Sequence, residues 1–193
     1  MLDRGAPIHA ERHPSDPLLG AGALKRRVEP SPEGHVLHLP AQGASWASAK
    51  KHVRDVCVAV TATAIDPGAG FAAIARVHTE SGIADGYQAL VVPGLRTVRL
   101  ARFCEGGEVS AVSAIRDWEC SPHVAPAGYP NTIELRAADT MLQLFVNGER
   151  VLSAIDAGLG FGGFGFRAIA LEGPARVCFR SIEAFAVASS MRV

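Results

Sequence analysis

The sequence predicts an all-β fold, a two-sheet antiparallel sandwich of the jelly-roll type. Three observations carry this. Short apolar or alternating runs recur at close spacing, each ended by a cluster of Gly, Pro, Asp, Asn or Ser. No segment sustains a helical period with caps. The 193 residues suit one domain, and 48% of them are hydrophobic, enough for a sizeable core.

Residues 1–34 read as an N-terminal arm or linker, broken by prolines at 7, 14, 17, 30 and 32. The segment Asp16-Pro-Leu-Leu-Gly-Ala-Gly-Ala-Leu24 is a candidate docking peptide within it. The jelly-roll domain is expected over 35–193. Val36–Leu39 is the first short strand. Val53–Ala64 follows, with Val56, Val58 and Val60 alternating onto one face. Asp66-Pro67-Gly68 supplies a turn, since proline fixes φ and glycine allows positive φ. Phe71–His78, Gly86–Val92 and Thr97–Phe103 come next, and Glu105-Gly-Gly-Glu108 leads into Val109–Trp118.

A loop, Ser121–Pro130, separates the halves. Three runs then follow closely: Thr132–Ala137, Met141–Asn147 and Arg150–Asp156. Asn147-Gly148 is a strong hairpin signal, because a two-residue type I′ turn needs positive φ twice. Gly163–Leu171 and Ala175–Val187 close the series. These runs imply roughly ten strands.

The second half also carries a resemblance. It reads N-T-I-E-L-R-A-A-D-T-M-L-Q-L-F-V-N-G-E-R-V from Asn131, then a lone Asp156, then G-F-G-F-R-A and V-C-F-R-S-I-E-A-F-A-V. This resembles laminin-G-like and concanavalin A-like lectin/glucanase jelly rolls, including bacterial 3-keto-disaccharide hydrolase-type domains. Phe71–His78 and Gly86–Val92 fit the first half of that pattern. The resemblance implies a lectin-like sandwich, with Arg76 at the position of a strand-ending arginine. Asn131 and Asn147 are the only asparagines, and both fall at pattern positions. Phe145, Phe164, Phe166 and Phe179 read as core. The Gly-rich run 158–166 precedes a strand, so it lacks the helix N-terminus of a phosphate loop.

Composition narrows the function classes. The formal net charge is zero, which removes a global electrostatic case for nucleic acid. No stretch is apolar enough for a membrane span. Residues 1–20 lack a signal-peptide apolar region, so a complete chain is expected in the cytoplasm. Cys57, Cys104, Cys120 and Cys178 match no zinc spacing and are expected as free thiols, with Cys104 and Cys120 placed to bridge across a hairpin if any pair does.

Catalysis by a carboxylate pair needs two acids at a defined separation. Asp117-Trp118-Glu119 is the nearest approach, with both acids expected on one strand face and Trp118 on the other. No Glu-x-Asp-x-x-Glu signature or Gly-x-Ser-x-Gly elbow occurs. No catalytic residue and no metal ligand set is assigned, and no cofactor is expected. Calcium is the one ion that the resemblance admits, with Asp66, Asp85 and Asp156 as loop donors.

The expected function is a non-catalytic recognition module, for a glycan or a protein partner, using a sheet face and loops. Sugars need an aromatic platform for the apolar ring face and planar donors for hydroxyls. The candidates are Arg76, Tyr87, Arg102, Arg116, Trp118 and Tyr129, with His78 and His123 nearby. The alternatives are a glycoside hydrolase using Asp117 and Glu119, and a structural component of a larger assembly or coat.

Overall fold

The computed structural model describes residues 4–11, 19–20, 28–49, 51–106 and 109–187. Among these there is no helix, and therefore none long and apolar enough to cross a membrane. The chain is a two-sheet antiparallel sandwich, as its alternating pattern requires.

Its strands are β1 (Arg4–Glu11), β2 (Leu19–Gly20), β3 (Val28–Ser31), β4 (Gly34–Leu39), β5 (Ala44–Ala49), β6 (Val56–Ala64), β7 (Ala69–Glu80) and β8 (Ile83–Val92). The second half adds β9 (Thr97–Gly106), β10 (Val109–Cys120), β11 (Pro130–Ala138), β12 (Met141–Val146), β13 (Glu149–Ile155), β14 (Gly163–Ala170) and β15 (Ala175–Val187). One sheet runs β13-β12-β11-β6-β15-β4-β3, with β1 also on β15. The other runs β10-β9-β8-β7-β14-β5-β2.

Alternation explains the core between them. Val56, Val58 and Val60 are fully buried on the inner face of β6. Each such side chain contributes roughly 1.5–3 kcal/mol by leaving water. Facing them, Phe71, Ala73, Tyr87, Ala89, Val91 and Leu100 line the second sheet, and Phe164, Phe166 and Phe179 fill the middle. Phe145 departs from the core expectation. Its register partner is Glu134, so it lies on the outer face, under the Arg136 guanidinium at 3.9 Å.

The segment read as an arm supplies strands to both sheets in its described parts. β1 pairs with β15, β2 with β5 and β3 with β4. Proline 7 lies at a register shift in β1, where the ladder tolerates a missing donor. Of the docking segment only Leu19–Gly20 is described, as β2; Leu18 and Leu24 lie outside the described residues. β5 was not anticipated, because Ala-Ser-Trp-Ala-Ser-Ala lacks β-branched residues.

The turns follow their chemistry. Asn147 and Gly148 take φ of 52° and 90°, as type I′ demands. The Asp66 turn closes by Ala69 N–H to the Asp66 carbonyl at 2.9 Å, and Gly68 is not among the positive-φ glycines. Asp66 also accepts hydrogen bonds from Arg176 Nε and Nη2, each at 2.9 Å, and that hydrogen bonding holds its carboxyl below the ordinary range. None of the four cysteines forms a disulfide. Cys104 stands opposite Ala111 and Cys120 opposite Thr97, at the two ends of the β9–β10 hairpin. Seven strand residues, roughly 23 Å, separate them, so they do not bridge.

Candidate functional site

The open end of the sandwich beside the β7–β8 turn gathers three of the six sequence candidates. β7 and β8 outrun the core here. Past Tyr87 the inner face continues with Asp85 and Ile83, and across from them with His78 and Glu80. Ser81 and Gly82, with φ of 50° and 80°, close the hairpin. A loop, residues 156–162, folds back from β13 and forms the other wall.

That loop is held by buried side chains. Tyr87 is 1% exposed; its hydroxyl donates to Asp156 Oδ1 and accepts the Leu159 N–H at 2.8 Å. Burial, aided by the Asp156 carboxylate, pushes its pKa up to about 12. Arg76 is fully buried, at a register shift where φ of 53° turns its side chain inward. It donates to the Leu159 carbonyl at 2.8 Å and the Arg54 carbonyl at 3.0 Å, and its Nη2 lies 3.5 Å from Asp55 Oδ1. Burial lowers the Arg76 pKa, opposed by Asp55. The polar atoms of Tyr87 and Arg76 thus serve the loop and the 51–55 segment in this structure.

The loop ends where glycine is obligatory. Gly162 has φ of 152°, and a Cβ there would sit 2.5 Å from the Arg76 carbonyl carbon. This closeness lets Val53 and Gly162 exchange backbone hydrogen bonds at 2.8 and 3.0 Å. The bridge delivers His52 beside Phe161 and His78. Phe161 stacks edge-on to His78 at 4.9 Å and lies 6.0 Å from His52, yet remains 54% exposed.

Between hairpin and loop lies a groove of about 540 Å³, lined by His78, Glu80, Ser81, Ile83, Asp85, Cys104 and Leu159. Arg102 borders it. Its Nε donates to Asp85 Oδ1 at 2.8 Å and its Nη2 to Asp85 Oδ2, a bidentate fork that raises the arginine pKa. The groove therefore offers an aliphatic side chain and several hydrogen-bonding groups on a scaffold fixed from behind, with the exposed Phe161 ring against His78 at its border.

The other three candidates lie elsewhere. Trp118 and Arg116 are on β10, the edge strand, and Tyr129 is in the 121–129 loop at the opposite end of that sheet. Trp118 is 38% exposed and Tyr129 62%. The expected alternation at Asp117–Glu119 does not occur. Two register shifts interrupt β10, one between Ala114 and Arg116 and one between Arg116 and Glu119. Asp117 lies 3.6 Å from Arg99, and the same guanidinium sits over Trp118 at 5.5 Å. Glu119 instead binds Arg116 at 2.6 Å. The two acids thus point to opposite sides of the sheet, because the bulge sets Asp117 and Trp118 together against Arg99. A carboxylate pair flanking one glycosidic bond is not formed by them.

Asp66, Asp85 and Asp156 are each engaged separately, by Arg176, Arg102 and Tyr87. Among the described residues no group of three or more His, Cys, Asp or Glu converges as a metal site.

Sequence reasoning missed Phe161, His52, Ile83 and Cys104 as site residues. Phe161 had a signal: it is the first large ring inside the Gly-rich run, flanked by Gly160 and Gly162. Arg167 was also missed. On the outer face of the seven-stranded sheet it donates to Gln88 at 2.9 Å and Glu105 at 2.8 Å, over the Phe103 ring and close to Trp46. Arg167, Gln88, Phe103 and Trp46 are at most 6% exposed.

No protein-family profile matches this sequence. No curated protein matches it either. The fold has solved counterparts. A carbohydrate-binding module, CBM66 from Bacillus subtilis, superposes with a TM-score of 0.71 at 17% identity, over 88% of this chain and 96% of that one. A Bacillus subtilis protein of unknown function with a galectin-like fold gives 0.64 at 17% identity, over 96% and 98%. Alginate lyase A1-II′ gives 0.59 at 11% identity, over 84% of each chain. Identities this low speak for the fold alone. That fold is the concanavalin A-like jelly-roll sandwich, shared by carbohydrate-binding modules and carbohydrate-active enzymes.

Proposed function

We propose that this chain is a non-catalytic recognition module that binds a glycan in the groove between the β7–β8 hairpin and the loop 156–162. The observation that carries this reading is Phe161. A ring left 54% exposed is held in place by two histidines beside an open groove. Solvent exposure of a fixed apolar ring costs free energy that a stacked sugar face recovers. Ile83 extends the apolar surface, and His78, Glu80, Ser81 and the Asp85–Arg102 pair supply hydroxyl partners. The likeness to a carbohydrate-binding module supports the ligand class.

Binding of the intact chain to a glycan array, followed by titration calorimetry on the best ligand, tests the reading. Phe161→Ala is expected to weaken binding roughly tenfold while the fold is retained. Unchanged affinity in that variant would sink the groove assignment. Degradation of any glycan on the array, lost in an Asp117→Asn/Glu119→Gln double variant, would replace the binding module by a hydrolase. Capture of a protein partner by an array-negative chain would replace the glycan as ligand.

A further inference from the structure

The arginine that borders the groove is committed to an acid of the groove wall. Tyr87 and Arg102 are register partners on β8 and β9, and Asp85 and Cys104 form the next pair along the same face. Asp85 is therefore the diagonal neighbour of Arg102, a separation that a long side chain spans. Although 41% exposed, the Arg102 side chain closes on Asp85 as a fork, Nε to Oδ1 at 2.8 Å and Nη2 to Oδ2. Hydrogen bonding to Asp85 raises the arginine pKa, and the Asp156 charge adds to this. The third nitrogen is turned to the loop. A Cβ on Gly158 would lie 3.1 Å from Arg102 Nη1 and 3.0 Å from Asp156 Oδ1. Glycine at 158 thus leaves room for the guanidinium beside the loop carboxylate.

The charge around the groove is consequently negative. Its lining carries Glu80 and Asp85 and, among the described residues, no lysine or arginine. Asp156 adds a carboxylate from the loop. Its Oδ1 accepts the Tyr87 hydroxyl and the Gly158 N–H at 2.7 Å, neutral donors that leave its charge in place. Arg76 is fully buried and lies 3.5 Å from its own acid, Asp55. An anionic ligand would have to displace Asp85 from a bidentate fork and approach Glu80 and Asp156 against repulsion. A hydroxyl meets neither cost. It donates to the carboxylates and accepts from the hydrogens of the fork that Asp85 leaves over.

We propose that the groove selects uncharged glycans, and that Asp85 sets this selectivity by withholding Arg102 from anionic sugars. The first clause rests on the glycan reading above; the withholding of Arg102 does not.

The intact protein, with nitrogen-15 in its arginine side chains, is titrated at about pH 8, where imidazoles carry no charge. Sodium sulfate and sodium glucuronate are compared with sodium chloride at equal ionic strength. The Arg102 Nε signal of the parent is expected to stay where chloride leaves it. In Asp85→Asn, which keeps the shape and removes the charge, that signal should move saturably with at least one of the two anions. Asp85→Ser, too short to reach the fork, is the second variant. Movement in the parent, or none in either variant, overturns the role of Asp85. Affinity electrophoresis in dextran, laminarin, dextran sulfate and polygalacturonate then tests the selectivity. Retardation of the parent by a neutral polymer and by neither charged one is expected, and retardation by a charged polymer as strong as by any neutral one overturns it. The apparent affinity for dextran sulfate should rise roughly fivefold in Asp85→Asn, and by no more than about twofold in Glu80→Gln, which removes the same charge and leaves the fork intact. Equal gains would assign the selectivity to charge count and overturn the role of Asp85. A parent retarded by none of the polymers, with Arg102 responding as stated, would overturn the glycan clause and the reading beneath it and leave the withheld arginine standing.

Discussion

The Tyr87 phenol stands between Asp156 and Leu159, donating to the carboxylate of one and accepting the amide of the other at 2.8 Å. Three backbone or side-chain groups of the loop 156–162 therefore depend on two buried residues of the opposite wall, Tyr87 and Arg76. Loop rigidity and groove shape share that origin.

Removing the hydroxyl should separate the two. In Tyr87→Phe the core ring stays, but the Leu159 N–H and the Asp156 carboxylate lose a partner. Urea unfolding should show a loss of about 1–3 kcal/mol. Hydrogen exchange at Leu159 should accelerate more than exchange in β6. Equal acceleration in both would mean that the bond supports the whole sandwich rather than the loop.

The same phenol predicts a pH dependence. Its folded pKa of about 12 lies above the ordinary 10.0, so the fold favours the protonated form. The associated stability is complete below pH 10.0 and declines as pH rises from there towards about 12. Alkaline unfolding curves of the parent should fall over this interval, and those of Tyr87→Phe should fall less.

Arg76→Met should cost more than Tyr87→Phe, about 3–5 kcal/mol, since it strands the Leu159 and Arg54 carbonyls and an acid that faced a buried cation. Thermal unfolding checks this. A near-neutral result would show that the buried charge is offset by its own desolvation.

The two asparagines form one device at the far end of the molecule. Asn131 Oδ1 accepts the Ala125 N–H at 2.8 Å and Asn147 Nδ2 at 3.0 Å, while Asn147 also reaches the His123 carbonyl at 2.8 Å. Asn131→Ala and Asn147→Gly should each destabilise by roughly 1–3 kcal/mol, and the double variant by less than their sum, because they share a bond. Strict additivity in urea unfolding would disprove the coupling.

Cys104 offers a direct reading of groove access. It is half-buried in the groove wall, whereas Cys57 and Cys178 are buried. Labelling a Cys120→Ser variant with a bulky maleimide should modify Cys104 first and reduce glycan binding at least tenfold. Full affinity after complete labelling of Cys104 would place the ligand elsewhere.

The fold was legible because alternation and turn chemistry act locally. Val56, Val58 and Val60 show their face by spacing alone, and Asn147-Gly148 its turn by backbone preference. The candidate site was legible only where a residue sits on a strand. Arg76, Tyr87 and Arg102 come together because β7, β8 and β9 are adjacent and in register. Phe161 and His52 meet them through a loop whose path depends on Gly162 lying against the Arg76 backbone, a long-range contact with no local pattern. The Asp117–Glu119 geometry failed for a related reason. A bulge inserts a residue without altering composition, so strict alternation misassigns every side chain beyond it.

Those bulges in β10 matter beyond the two acids. The strand is twelve residues long, lies at the border of its sheet, and leaves a row of amides and carbonyls without a neighbouring strand among the described residues. Such a border is a template on which a second polypeptide can zip up and seed fibre growth. Two interruptions of the ladder, with Arg116, Asp117 and Glu119 clustered at them, break the template into stretches too short and too charged to propagate. Ironing out the second interruption by deleting Asp117, so that this part of the strand runs in register, would convert a soluble border into a sticky one.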